Sequence, residues 1–301
     1  MSNFIEILKT VFLGIVEGIT EWLPISSTGH MILVDEFLKL NLRDEFKDIF
    51  FVIIQIGAIL AVVILFWNKI WPFHTKKAIV KPFFMPKDGK KLGGVARFCN
   101  DYIYMDKIIL WLKIFVACIP AGVLGIAFDD QLDEMLTGDK RAYVVATTLI
   151  LYGILFIIIE SINKKERFDS VDALTFKTAF FIGLIQALSI IPGTSRSGAT
   201  ILGAVLLGTS RTLAAEFSFF LSIPAMFGGS GIKTLQFFLD GNTVTPYEIS
   251  ILILGSAVAF IVSVFSIKFL VSFLKKHDFK PFAYYRIVLG IIVLAYFALA
   301  N

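Results

Sequence analysis

Six apolar segments, each long enough to cross the hydrocarbon core of a bilayer as a helix of roughly 20 residues, dominate this 301-residue sequence. They lie at about 49–67, 108–128, 142–160, 214–235, 250–272 and 282–300. Hydrophobic residues make up 57% of the chain and charged residues 17%, whereas soluble domains contain about 45–50% and about 25%. The sequence therefore predicts an all-α polytopic membrane protein with six transmembrane helices, built as one membrane domain over residues 1–301.

Two further apolar segments, at about 4–33 and 174–208, are interrupted near their middle. The interruptions read LPISSTGH at 23–30 and IPGTSRSG at 191–198, and both are rich in proline, glycine and hydroxyl residues. Such residues break a helix, so each segment fits two short helices better than one full crossing. We predict that each forms a re-entrant helical hairpin, which enters and leaves the membrane on the same side.

The distribution of basic residues predicts the orientation of these segments. The lysine-rich linker 68–107 and the basic segments 163–168 and 275–280 are predicted to lie in the cytoplasm. The acidic or neutral linkers 129–135 and 236–248 are predicted to lie outside. Counting crossings between these linkers requires the first hairpin to enter from outside and the second from inside.

The two halves of the chain repeat at a separation of 169 residues. This shift aligns related residues at several places: Gly14 with Gly183, Glu17 with Gln186, Ser26 with Ser195, and Gly29 with Gly198. We predict an inverted-topology repeat, with repeat 1 at about 1–165, including the linker 68–107, and repeat 2 at about 170–301. Broken helices of such repeats meet at a midplane site, so the two interruptions are expected to face each other.

The first broken segment contains two carboxylates, Glu17 and Glu21, which share a helix face because they are four residues apart. An ionised side chain at bilayer depth costs at least about 2.5–3.5 kcal/mol. We therefore expect a divalent cation such as Mg²⁺ or Ca²⁺ at the pair, or protonation of one member. The alternative is that one carboxylate lies at the interface and is hydrated.

The hydroxyl and imidazole groups of SSTGH suggest nucleophilic chemistry, because a hydroxyl nucleophile needs an adjacent base. Ser26, Ser27 or Thr28 could supply the hydroxyl, and the spacing of His30 from these residues makes it the candidate base. His30 could equally be a hydrogen-bonded core residue.

Arg196 is predicted to bind phosphate, since a guanidinium at this depth is costly and matches the geometry of phosphate oxygens. A structural ion pair with Glu17 or Glu21 is the alternative. Thr194, Ser195, Ser197 and Thr200 lie around Arg196 in the sequence and are further candidates for phosphate contact. Basic and acidic residues near span ends are predicted to snorkel or to be solvated: Arg211, Glu216, Lys268 and Arg286.

Together these groups predict a site that handles phosphoryl groups within the membrane. A water-soluble phosphate ester would not need a site at this depth, whereas a phosphorylated lipid would. Membrane lipids are therefore the expected surroundings, and no nucleic-acid partner is predicted.

Two motifs resemble those of the undecaprenyl-diphosphatase family, integral membrane enzymes linked to bacitracin resistance. They are EGITEWLPISSTGH at 17–30 and PGTSRSGAT at 192–200, and EFSFFLSIPA at 216–225 extends the similarity. The resemblance covers nearly the whole chain, and the basic linker at about 73–105 is longer than expected.

The resemblance implies hydrolysis of undecaprenyl diphosphate to the monophosphate in the bacterial inner membrane. The predicted orientation of the spans puts the site on the outer, periplasmic side. The resemblance also implies that Glu17 and Glu21 handle the cation or protons, that Arg196 holds the diphosphate, and that Ser27 and His30 act as nucleophile and base. The second-rank phosphate contacts it implies are Ser26, Thr28, Thr194, Ser195, Ser197 and Thr200. This activity recycles the lipid carrier of peptidoglycan synthesis in cell-wall biogenesis. Attack by activated water instead of Ser27 is left open, as is a homodimer.

A transporter or flippase for polyprenyl phosphate is the alternative function, because inverted repeats with broken helices are a transporter architecture. A structural scaffold would leave the buried charges unexplained. A hydroxyl and an imidazole beside a phosphate-binding arginine are unnecessary for transport alone, so they favour the enzyme.

Overall fold

The computed structural model describes residues 2–38, 40–75, 82–85, 93–135, 140–162 and 165–300. Throughout these ranges the protein is helical, with two isolated backbone bridges and no β-strand. The helices are α1 (Ser2–Thr20), α2 (Ser27–Phe37), α3 (Asp44–Leu65), α4 (Trp67–Ile70), α5 (Gly94–Tyr102), α6 (Met105–Met135), α7 (Lys140–Ser161), α8 (Phe176–Gln186), α9 (Arg196–Leu206), α10 (Arg211–Leu239), α11 (Pro246–Leu274) and α12 (Lys280–Ala300). A short 3-10 turn, Ala187–Ile190, follows α8.

Six helices of the described ranges are long and apolar enough to cross a membrane, namely α3, α6, α7, α10, α11 and α12. The prediction of an all-α membrane protein with six spanning helices is confirmed. The predicted linker 129–135 instead continues helix α6, because residues 126–135 contain neither glycine nor proline to end it. Most lysines of the linker 68–107 lie outside the described residues.

Polar caps fix the starts of two long helices. The Ser210 hydroxyl accepts a hydrogen bond from the Leu213 amide at the start of α10. Thr245 and Glu248 form a capping box at the start of α11, with Pro246 at its first position. These caps explain why both helices begin several residues before the apolar segments that predict them.

Each broken segment forms two helices around a serine with left-handed backbone. Ser26 has a φ of 76° and Ser195 a φ of 72°, and these serines lie 169 residues apart. The Ser26 hydroxyl accepts from the Gly29 amide at 3.2 Å, and the Ser195 hydroxyl accepts from the Gly198 amide at 3.1 Å. A non-glycine residue in this region costs about 1–3 kcal/mol, so both breaks hold the same strained turn.

The first helix pair, α1 and α2, begins and ends at one end of the helix bundle. The amide of Asn41, after α2, donates to Glu6 Oε2 near the start of α1 at 3.0 Å. Arg43 then donates to the Thr243 carbonyl at 2.8 Å, beyond the C-terminus of α10.

The second helix pair, α8 and α9, begins and ends near the N-terminus of α10. The Arg167 amide, before α8, donates to the Gly208 carbonyl at 2.7 Å, and the Ser210 amide donates to the Phe168 carbonyl at 2.8 Å. The chain therefore enters and leaves the two helix pairs at opposite ends of α10. These contacts support the inverted-topology repeat. The opposite orientation of its two halves in the membrane stays a prediction.

Two glycines at equivalent places of the repeat allow the broken helices to approach their neighbours. A Cβ on Gly14 of α1 would lie 2.8 Å from the Gly255 carbonyl oxygen of α11. A Cβ on Gly183 of α8 would overlap the Ala117 carbonyl oxygen of α6. Both helices thus pack backbone against backbone, which holds the breaks deep in the bundle.

Candidate active site

Both breaks line one cavity of about 290 Å³, called here the small chamber. The first break contributes Glu21, Ser27 and Thr28, and the second contributes Gly193, Ser195, Arg196 and Ser197. The expectation that the two interruptions face each other therefore agrees with the geometry. Their polar side chains share one space enclosed by α3 and α10.

A second cavity of about 840 Å³, the large chamber, adjoins the first. Its wall includes Glu17 and the residues around the N-termini of α3 and α7 and the C-terminus of α10. The residues that line both chambers form the neck between them: Ser27, Thr28, Val52, Gln55 and Lys233.

Glu21 joins the two motifs through hydrogen bonds to both of its carboxylate oxygens. The Ser27 hydroxyl donates to Oε2 at 2.7 Å, and Arg196 Nη2 donates to Oε1 at 3.0 Å. Arg196 Nη1 also donates to the Ser218 carbonyl at 3.1 Å. The ion pair that the sequence left open for Arg196 is thus formed, and its partner is Glu21.

Glu17 is buried, and its Oε1 has no hydrogen-bond partner among the described residues. A buried carboxylate without a partner is costly, so this atom calls for a cation or a proton. The described residues contain no group of three or more His, Cys, Asp or Glu side chains that could hold a metal ion. Glu17 and Glu21 would therefore need substrate oxygens or water to complete a coordination shell, which is common for Mg²⁺.

His30 contacts other groups than Ser27. Its Nδ1 lies 2.7 Å from the Ser26 carbonyl oxygen, and its Nε2 lies 2.7 Å from the Tyr285 hydroxyl. Because a carbonyl only accepts, Nδ1 carries a proton. The imidazole thus links the first break to α12, and Tyr285 is a neighbour that no pattern in the sequence indicates.

The remaining phosphate candidates fall into two groups. Thr28, Ser195 and Ser197 line the chambers. Ser26, Thr194 and Thr200 are buried and are absent from the chamber walls in the described part of the chain. The Thr200 hydroxyl lies within hydrogen-bond distance of the Arg196 carbonyl oxygen in its own helix, at 2.8 Å, and of Gln186 Oε1, at 3.0 Å. The contact with Gln186 joins α9 to α8.

The prediction that Arg286 snorkels or is solvated at a span end is wrong. Its side chain on α12 is 0% exposed. It donates to the carbonyls of Pro24 at 3.1 Å, Gly193 at 2.9 Å and Thr194 at 3.0 Å. Breaks in helices leave carbonyls without helical donors, and Arg286 satisfies such carbonyls in both breaks at once.

Lys233 is a second residue that sequence reasoning missed. It lies within the apolar segment that predicts α10, yet it is exposed at the neck between the chambers. Hydropathy alone gives no sign that this side chain faces a polar cavity.

The fold and the site define an α-helical integral membrane protein with a buried polar cavity that two broken helix pairs build together. Residues 10–292 match the family described as bacitracin resistance protein BacA, and the chain belongs to this family.

Several curated proteins are similar to the chain over nearly its full length. An undecaprenyl-diphosphatase of Enterococcus faecalis is 54% identical, with 97% of each chain covered. One of Lachnoclostridium phytofermentans is 53% identical over 99% of this chain and 100% of its own. Undecaprenyl-diphosphatase 1 of Clostridioides difficile is 51% identical over 99% and 98% of the two chains.

Proposed function

We propose that this protein hydrolyses undecaprenyl diphosphate to undecaprenyl phosphate and inorganic phosphate. Membership of the BacA family and the names of relatives that are 51–54% identical support this reaction. By this activity the protein recycles the lipid carrier of cell-wall synthesis and contributes to bacitracin resistance.

The observation that carries the proposal is the contact of Ser27 and Arg196 with the same carboxylate, Glu21, at the wall of the small chamber. A guanidinium suits phosphate oxygens, and a hydroxyl bonded to a carboxylate suits attack on phosphorus. Phosphoryl transfer needs mainly positioning and electrostatic stabilisation, and both motifs contribute to these at one place.

In the proposed reaction the Ser27 oxygen attacks the terminal phosphorus of the diphosphate. Its proton passes to Glu21, and the bond between the terminal phosphorus and the bridging oxygen breaks. The lipid monophosphate leaves with the bridging oxygen. Water then hydrolyses the phosphoserine, which restores the Ser27 hydroxyl and releases inorganic phosphate.

We infer different supporting roles for the two other predicted catalytic residues, His30 and Glu17. His30 holds the Ser26 carbonyl and thereby orients the residue before the nucleophile. Glu17 and Glu21 would hold a divalent cation, whose charge would offset that of the phosphates. The unpartnered Oε1 of Glu17 supports this role.

The protein is a multi-pass membrane protein, and we place its site on the outer face of the bacterial inner membrane. The wall of the large chamber includes residues at the N-termini of α3 and α7 and at the C-terminus of α10. These are the ends that the basic residues of the sequence predict to lie outside.

The test is phosphate release from undecaprenyl diphosphate by the purified protein in detergent, with Arg196→Ala and Ser27→Ala beside it. We expect release by the unaltered protein and loss of at least about 100-fold in each variant. A folded protein that binds the lipid and releases no phosphate would contradict hydrolysis and indicate carriage of the lipid.

A further inference from the structure

Lys233 occupies the middle of a helix face that runs along both chambers. Met226, Gly229 and Ser230 precede it at seven, four and three residues and line the small chamber. Gln236, Phe237 and Asp240 follow it and line the large chamber. Residues three, four and seven apart share a helix face, so α10 brings Lys233 to the neck where the chambers join.

A diphosphate bound in the small chamber needs more positive charge than Arg196 supplies. A phosphate monoester alone carries about −1.5 to −2 charges at pH 7, so a diphosphate is strongly anionic. Arg196 is paired with Glu21, which cancels its charge. In the described part of the chain, Lys233 is the other basic residue of the small-chamber wall, and no hydrogen bond or ion pair occupies its ammonium group.

The space beside Lys233 is open. A Cβ built on Gly229, one turn before it, would meet no atom within 4 Å. Ser27, the proposed nucleophile, lines the same neck. A phosphate bound at Ser27 would therefore occupy the same neck that Lys233 lines.

We propose that Lys233 forms a second anion subsite, which binds the terminal phosphate of the substrate and then the inorganic phosphate released from it. The ammonium group offsets negative charge of the phosphates that Arg196, paired with Glu21, does not offset. It also holds the transferred phosphate at the passage to the large chamber. The released phosphate leaves by that passage. This inference rests on the proposed hydrolysis and adds to it a specificity-determining residue and an exit route.

The test compares Lys233→Met and Lys233→Arg in the full-length protein in detergent. A charge-assisted contact predicts that Lys233→Met raises KM for undecaprenyl diphosphate and weakens inhibition by inorganic phosphate, each by about tenfold or more. In Lys233→Arg, KM and the strength of phosphate inhibition should stay within about threefold of the unaltered protein, because the positive charge is kept. Unchanged KM and unchanged phosphate inhibition in Lys233→Met would overturn the subsite, and so would a loss confined to kcat.

Lys47→Met is the matched control. Lys47 also lines the large chamber, but its ammonium group pairs with Asp44 at 2.8 Å. We expect it to leave KM and phosphate inhibition unchanged.

The rise in melting temperature caused by inorganic phosphate gives a readout that needs no turnover. It should be present in the unaltered protein and smaller in Lys233→Met. A protein that releases no phosphate from the lipid but shows this difference would refute the proposed function while keeping the anion subsite.

Discussion

Arg196 Nη2 lies 3.0 Å from Glu21 Oε1, and this ion pair links the first residue of α9 to the turn that follows α1. The Arg196 and Glu21 side chains are 15% and 8% exposed. The pair therefore serves as a contact between the halves of the chain as well as part of the phosphate site.

Breaking this pair should cost stability as well as activity. Arg196→Gln leaves the Glu21 carboxylate buried without the guanidinium group that pairs with it, which costs about 3–5 kcal/mol. We expect a lower melting temperature in detergent, and partial recovery in the double variant Arg196→Gln/Glu21→Gln, which still releases no phosphate. Lys69→Gln breaks a pair with Glu216 in which Lys69 is 57% exposed, so it should cost less than about 1 kcal/mol. If the losses of stability in Arg196→Gln and Glu21→Gln simply add up in the double variant, the two side chains are not coupled.

His30 should act mainly through its contacts with Ser26 and Tyr285. An asparagine amide can replace the Nδ1–H donor, so His30→Asn should keep more phosphate release than His30→Ala. Tyr285→Phe removes only the Nε2 contact and should lower kcat by about tenfold or less. The measurement is kcat in detergent, with Ser27→Ala as the inactive reference. If His30→Asn is as inactive as Ser27→Ala, the imidazole itself takes part in proton transfer.

The sequence predicted the parts of the site that carry a helix-breaking signal. The prolines, glycines and hydroxyl residues at 23–30 and 191–198 marked both breaks, and the spacing of 169 residues identified Ser26 and Ser195 as equivalents. Hydropathy likewise predicted all six spans, because length and apolar character decide whether a helix can cross a bilayer. These features depend on neighbours along the chain.

Partners from distant parts of the chain were not predictable in the same way. Arg286 resembled a residue at a span end, since nothing near it in sequence reveals the carbonyls of Pro24 and Gly193. The partner of the Ser27 hydroxyl was expected to be His30, three residues away, but it is Glu21. Which groups meet across a break depends on how the helices pack, and one sequence does not record that.

Arg286 should be essential for the alignment of the two breaks. Arg286→Met leaves carbonyls of Pro24, Gly193 and Thr194 without this donor, at a cost of about 1–3 kcal/mol for each unsatisfied group. We expect a large fall in melting temperature and in kcat. Arg286→Lys should restore only part of either, since an ammonium group lacks the wide planar fork that reaches both breaks.

The control for this substitution is Arg97→Met on the exposed surface of α5. It should change stability by no more than about 0.5 kcal/mol. An Arg286→Met variant as stable and active as this control would refute the alignment role.

A divalent cation at Glu17 and Glu21 should be required for turnover. We expect a chelator to abolish phosphate release and added Mg²⁺ or Ca²⁺ to restore it. Glu17→Gln removes a carboxylate whose Oε1 lacks a partner, so it should lower the apparent affinity for the cation while keeping the protein folded. The measurement is phosphate release against cation concentration. Full activity in the chelator would rule out a cation.

The orientation of the chain decides on which side of the membrane the large chamber opens. Asn242 lines that chamber, whereas Val95 on α5 belongs to the linker between α3 and α6. In a background with Cys99→Ser and Cys118→Ser, a cysteine at 242 should react with an impermeant thiol reagent in intact cells. A cysteine at 95 should react only after lysis, because the positive-inside rule predicts a cytoplasmic linker. The reverse pattern would place the chamber, and the phosphate released through it, on the cytoplasmic side.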